Sequence, residues 1–136
     1  MKNIRMSSLI RNSKQVSQSI DFTGFENNKI HPTDIDFVFE FDNEILILGE
    51  VKRDGNDLPT GQRLVLERMV DRWGDKGIAL KVVHSHRDEN TDIPLLDCFV
   101  ESYYLDGKWT TLNTKYSLVA FINGLGRKWN NNKCKF

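Results

Sequence analysis

The middle of the chain alternates between apolar and polar residues, turns fully apolar, and then breaks into helical spacing. From Ile35 to Phe41, one parity holds Ile35, Phe37, Phe39 and Phe41, and the other holds Asp36, Val38 and Glu40. That two-residue period predicts a strand with one strongly apolar face. Asp42-Asn43 is a turn signal. Ile45 to Leu48 is an unbroken aliphatic run that predicts a strand covered on both faces and continuing to Lys52. A loop, RDGNDLP, follows. Leu66, Met69, Val70 and Trp73 then recur at helical spacing, so a helix is expected from Gly61 to about Trp73, capped by Thr60 and stopped by Gly74 and Gly77. Ile78 to Val83 reads as a third strand, and Arg87 to Pro94 as an exposed acidic loop. Leu96 to Leu105 and Lys108 to Leu112 form an expected hairpin across Asp106-Gly107. Asn113 or Thr114 would cap a last helix through about Asn123, closed by Gly124 and Gly126. At the front, Met6, Leu9, Ile10, Val16 and Ile20 suit a weakly amphipathic helix, and a polar loop runs from Asp21 to Pro32. The order of elements predicts an α/β fold: a single domain with a central mixed β-sheet flanked by helices.

Composition narrows the class. A chain of 136 residues, 39% apolar and 28% charged, suits one soluble globular domain over residues 1–136. No apolar run nears the roughly 18 residues of a spanning helix, so no membrane partner is expected. No secretory signal is visible, and Cys98 and Cys134 fit no metal-ligand spacing. Reduced thiols and a cytoplasmic location are the expectation. Net charge is zero but unevenly spread. Residues 1–20 hold four Lys/Arg and no acid, and residues 21–50 hold eight acids and one lysine. Basic flanks around an acidic centre suit a protein that binds an anion over a cation site. The Ser-rich, acid-free start also has the composition of a transit peptide, although a first helix uses it better.

The candidate chemistry sits in ILILGEVK, residues 45–52. Glu50 and Lys52 lie two apart and share a strand face, and as strand-tip residues both are expected half exposed. Gly49 leaves room for another group to approach the backbone. A second carboxylate comes from TDID, either Asp34 or Asp36. A three-residue loop over 42–44 pairs Phe41 with Ile45, Val38 with Leu48 and Asp36 with Glu50, whereas a two-residue loop turns Asp36 to the other face. Two close carboxylates repel unless a cation sits between them, and a hard ion such as Mg²⁺ (or Mn²⁺) prefers oxygen. Gln62 falls one turn before Leu66 on the inward stripe, where an amide needs partners. The bland readings are a strand-end salt bridge and a partly exposed helix start.

The segment TDID-FVFEFDNEILILG-EVK is similar to the core of the PD-(D/E)XK nuclease superfamily, in which an Asp begins one strand and a (D/E)xK triplet ends the next. Asp36 matches the first acid, Glu50 the second and Lys52 the lysine. The Pro-Asp dipeptide is absent, Pro32 standing two residues before Asp34, so Asp34 stays an alternative ligand. PTGQRLVLERM resembles the helix after the triplet in small single-domain members of phage and resolvase type, and the likeness spans about residues 31–73. It implies a restriction-endonuclease-like fold with an αβββαβ core. It implies a metal-dependent nuclease that hydrolyses phosphodiester bonds, in DNA or RNA, structure-specifically or nonspecifically, leaving a 5′-phosphate and a 3′-hydroxyl. Asp36, Glu50 and the Val51 carbonyl would hold Mg²⁺ or Mn²⁺, Lys52 would position water, and Gln62 would support it. Many relatives carry another acid on the first helix. Here that helix has none, leaving Asp21, Glu26 or Gln18 as auxiliary groups. A homodimer is also implied, and the rival reading is a non-catalytic nucleic-acid- or protein-binding module on the same fold.

Lys14, Arg53, Arg63, Arg127 and Lys128 are the candidate phosphate contacts, the last two opening a basic tail, residues 127–136, expected to be flexible. His84 and His86 share a strand-end parity, but the sequence shows no further zinc ligands. His31 reads as a loop residue, and Tyr103, Tyr104, Trp109 and Trp129 as packing residues.

Overall fold

The computed structural model describes residues 20–28 and 30–136, and the expected first helix, with Lys14 and Gln18, falls outside them but for Ile20. The chain divides into two compact units, one ending at Thr33 and one running from Asp34 to Phe136. The described part of the first is made of turns and one bridge, Asn27 to Ile30.

The second unit is an α/β domain with a five-stranded mixed sheet. Strands β1 (Phe37–Phe41) and β2 (Ile45–Arg53) form a hairpin. Asp42 and Asn43 take positive φ, 54° and 61°, which short polar side chains tolerate. The loop therefore has three residues, and Phe41 faces Ile45, Val38 faces Leu48 and Phe37 faces Gly49. Helix α1 (Thr60–Trp73) begins one residue early: Pro59, at φ −59° and ψ 147°, takes the cap position, and Thr60 is helical instead of capping. Strand β3 (Gly77–His84) then pairs parallel with β2. A 3₁₀ turn (Leu95–Asp97) leads into β4 (Phe99–Leu105), which pairs antiparallel with β3 and with β5 (Lys108–Ser117). Helix α2 (Leu118–Lys128) follows.

The end of the chain departs from expectation. Strand β5 runs five residues past Leu112 because Tyr116 and Ser117 pair with Val100 and Phe99, so the cap signals at Asn113 and Thr114 yield to the ladder. Ser117 is the cap, its hydroxyl accepting the Ala120 N–H at 3.1 Å. Gly124 and Gly126 lie inside α2 instead of ending it. At Gly126 an added Cβ would stand 2.1 Å from the Cys134 carbonyl oxygen, because the chain folds back across the helix there. Residues 129–136 are anchored at two points: Cys134 and Asn131 are buried, and the Asn131 N–H donates to the Gly126 carbonyl at 2.8 Å.

The sheet order is β1-β2-β3-β4-β5, with α1 on one face and α2 on the other. Leu66 and Val70 of α1 pack on Leu46, Leu48, Ala79 and Tyr104. Leu118, Ile122 and Leu125 of α2 pack on Ile45, Ile47, Ile78, Leu80 and Val82. Among the described residues two strands precede α1, one fewer than the αβββαβ order implies. Helix α1 runs antiparallel to β2 and β3. The Trp73 indole N–H donates to the Glu44 carbonyl at 3.0 Å, fixing the helix end beside the start of β2. Glu67 accepts from the Trp109 indole at 2.6 Å, and the Tyr104 hydroxyl donates to Asp71 at 2.9 Å. These bonds fix the middle and the last turn of α1 on the sheet, and its first turn points toward the C-terminal ends of β2 and β3.

Candidate functional site

Parity along β2 builds the site. Leu46 and Leu48 lie under α1, so Glu50 and Lys52 continue on that same face toward the strand end. Extending the pairing by one residue from Phe37–Gly49 places Asp36 opposite Glu50. The Asp36 carboxylate accepts the Val51 N–H at 2.7 Å, which ties it to β2 just past the last strand pair.

Glu50 is 2% exposed, not half exposed as its place near a strand tip suggests. The crossover lays α1 on this face of β2 and sets β3 beside it, which periodicity alone does not show. Its Oε1 is buried without a hydrogen-bond partner. Its carboxyl is pushed up from the usual 4.5 to about 7. Burial is the largest cause, followed by the charge of Asp36 and the hydrogen bond between the two carboxyls, and Lys52 draws the value partly back. Lys52 is half-buried. The room beside Gly49 is already filled. On the opposite face an added Cβ would stand 1.9 Å from Cζ of Phe37, whose ring covers the bare backbone.

Gln62 lies in the first turn of α1, one turn before buried Leu66. Among the described residues, its Oε1 and that of Glu50 are the only buried side-chain nitrogen or oxygen atoms without a partner. Such orphans are expensive unless something outside the chain meets them.

Two residues of this face were not singled out in the sequence. In the parallel ladder Glu50 pairs with Lys81, which is 8% exposed. Lys81 bonds Glu101 at 2.5 Å. Lys81 pairs with Ser102 and Val82 with Val100, so Glu101 is an extra residue in β4, a bulge. Glu50, Lys81 and Ser102 thus form a polar row across three strands, with Asp36 just before β1, next to the apolar row Val38, Leu48, Ala79 and Tyr104. The signal for Lys81 was a single charge inside the apolar run IALKVV. The bulge left no signal.

The remaining candidates have surroundings of their own. Arg53 has the opposite parity to Lys52 and donates to the Arg87 carbonyl at 3.4 Å. Arg63 is engaged by Glu67 at 2.7 Å. Arg127 and Lys128 end α2 on the other face, lining a pocket of about 290 Å³ with Ile78 and Leu105, at the opposite end of the strands. Asp34 is exposed and precedes β1 by three residues. In the first unit, Asp21 accepts from the Thr23 hydroxyl at 2.6 Å and its N–H at 2.9 Å, which lowers its pKa, and Glu26 lies 4.0 Å from His31. His84 belongs to the α2 face. Burial holds its pKa down, helped by His86 and Arg53, and its Nδ1 accepts the His86 N–H at 3.1 Å.

Among the described residues no group of three or more His, Cys, Asp or Glu gathers as a metal cluster. The fit to a cation rests on the Asp36–Glu50 pair. Two adjacent acids, one buried with an orphan oxygen and a raised pKa, are the donor set that a hard divalent ion would neutralise. No family model, curated protein or solved structure matches this chain. No helix among the described residues is long and apolar enough to cross a membrane.

Proposed function

We propose that this domain is a metal-dependent nuclease of PD-(D/E)XK type that hydrolyses phosphodiester bonds in nucleic acid, with DNA the leading substrate. The observation that carries the reading is Glu50. Its carboxyl is buried beside Asp36 with an oxygen that nothing in the described chain satisfies. Asp36, Glu50 and the Val51 carbonyl are the groups that would hold Mg²⁺ or Mn²⁺. Such an ion supplies Lewis-acid polarisation of a phosphate oxygen and acidifies bound water. The chain's own residues do the rest. The Val51 N–H fixes Asp36 in place. Lys52, on the same face, offers a cation to a phosphate oxygen and orients the attacking water. The Gln62 amide, in the first turn of α1, has an unpartnered oxygen that would accept from that water. A strand, a triplet-bearing strand and a crossover helix to a parallel strand support a restriction-endonuclease-like reading of the fold. The products would be a 5′-phosphate and a 3′-hydroxyl. So small a domain suits structure-specific or nonspecific cutting, with a homodimer spanning two strands in a cytoplasmic setting.

The test is incubation with linear, nicked, flapped and four-way-junction DNA, and with single-stranded RNA, in Mg²⁺, Mn²⁺ or EDTA. Cleavage in either metal and none in EDTA supports the reading. Tight binding with no cleavage of any substrate replaces it with a non-catalytic binding module.

A further inference from the structure

Lys81 and Glu101 have no part in the chemistry above, yet they adjoin it. Lys81 has Glu50 on the neighbouring strand to one side and Glu101 on the neighbouring strand to the other. Adjacent strands lie about 4.8 Å apart, so a lysine side chain can reach either acid. It bonds Glu101, at 2.5 Å. Glu50, nearly sealed from water, keeps an oxygen without a partner although a buried ammonium stands one strand away. An opposite charge at that distance ordinarily claims such a carboxylate. The difference lies in β4: Glu101 is the bulged residue between Val100 and Ser102, an insertion that re-aims a side chain.

We propose that Glu101 is a positioning residue that holds Lys81 off Glu50, and so keeps the Glu50 carboxylate open to a divalent cation. The inference rests on the reading of the Asp36–Glu50 pair as a metal site. Without Glu101, Lys81 has one acid left in reach on this face, and a Lys81–Glu50 ion pair would fill the place of the metal. The bulge thus acts through a second charge and makes no contact with the metal or the substrate.

The test compares wild type, Glu101→Gln, and Glu101→Gln combined with Lys81→Met. Two readouts are used: Mn²⁺ binding by calorimetry and crystal structures of the metal-free proteins. Glu101→Gln is expected to weaken Mn²⁺ binding about 10–100-fold, the usual range for a supporting residue. Adding Lys81→Met is expected to restore it, a rescue that a merely structural role for Glu101 would not give. In the metal-free Glu101→Gln structure, Lys81 Nζ should lie within hydrogen-bond distance of Glu50. Unchanged Mn²⁺ affinity in Glu101→Gln, or a weakened affinity that Lys81→Met does not restore, overturns the proposal. If wild type takes up no Mn²⁺, the metal reading fails by itself. The structures then decide the positioning role: Lys81 turning to Glu50 upholds it, and Lys81 staying away overturns it. Should Glu101→Gln fail to fold, Glu101→Asp, which shortens the reach to Lys81, goes through the same two readouts.

Discussion

Glu50→Gln should stabilise the metal-free protein at alkaline pH, the reverse of what removing a buried charge partner usually does. Glu50 is 2% exposed and faces Asp36, and its carboxyl is raised from 4.5 to about 7 in the fold. A folded pKa above the unfolded one means that the native state holds the proton more tightly. The side chain's contribution is therefore fully favourable below pH 4.5, and it fades as pH rises through about 7. Each tenfold change in proton affinity is worth about 1.4 kcal/mol, so the gap amounts to about 3 kcal/mol. Gln keeps the shape, cannot ionise, and can donate an N–H to Asp36. Urea unfolding in EDTA, followed by circular dichroism from pH 4.5 to 8.5, measures the difference. Wild type and variant should nearly coincide at the acid end, and the variant should lead by up to about 3 kcal/mol at the alkaline end. Adding Mg²⁺ should then stabilise wild type more than the variant at the same concentration, since stabilisation follows affinity for the folded state. Parallel pH curves, or a variant that is weaker at pH 8.5, would refute the buried-carboxylate argument.

Four further outcomes follow from the geometry and the proposed function. Lys52→Ala should keep Mg²⁺ and nucleic-acid binding while losing cleavage. Glu50→Gln should lose metal affinity, with activity partly recovered at high Mg²⁺, and paired calorimetry and gel assays would separate the two failures. Gly49→Ala drives a Cβ to within 1.9 Å of the Phe37 ring, which must leave its place. Unfolding midpoints should show a loss of about 1–3 kcal/mol, and no loss would mean the ring moves freely. Arg127→Ala with Lys128→Ala should leave nucleic-acid affinity and its salt dependence unchanged by fluorescence anisotropy, because both residues sit at the far end of the opposite face. A salt slope lower by about two would put them in the interface after all.

The hairpin was legible because one number, the loop length, fixes every facing pair. Asp42 and Asn43 accept positive φ, so Phe37 comes opposite Gly49 and Asp36 follows within reach of β2. The aliphatic run of β2 and the stripe of α1 were legible for the same local reason. The start of α2 was not. Asn113 and Thr114 are good cap residues, but pairing with β4 carries the strand through Ser117. Nor was the burial of Glu50, which depends on what the crossover lays over it. Glu101 is a harder case, since a bulge changes which residues face one another without changing composition. The placement of the basic residues was not legible for a simpler reason: closeness in net charge along a chain says nothing of which face or end of a sheet carries it.

Asp36 precedes a strand of five residues that, among the described residues, stands at the sheet edge with β2 as its only neighbour. Glu50 belongs to the central body of the sheet. The two acids therefore stand on parts of unequal firmness, since edges open locally at far lower free energy than cores. Beyond its ladder to β2, the edge is held by the Asp36–Val51 bond at its foot and by Phe136 against Phe39 and Phe41 along its length. A cation gripping both acids would thus be a clasp, and its arrival would read as slowed amide exchange from Phe37 to Phe41. Fraying of that edge would set how fast the cation leaves, so residence time at this centre would be governed by the breathing of one short strand.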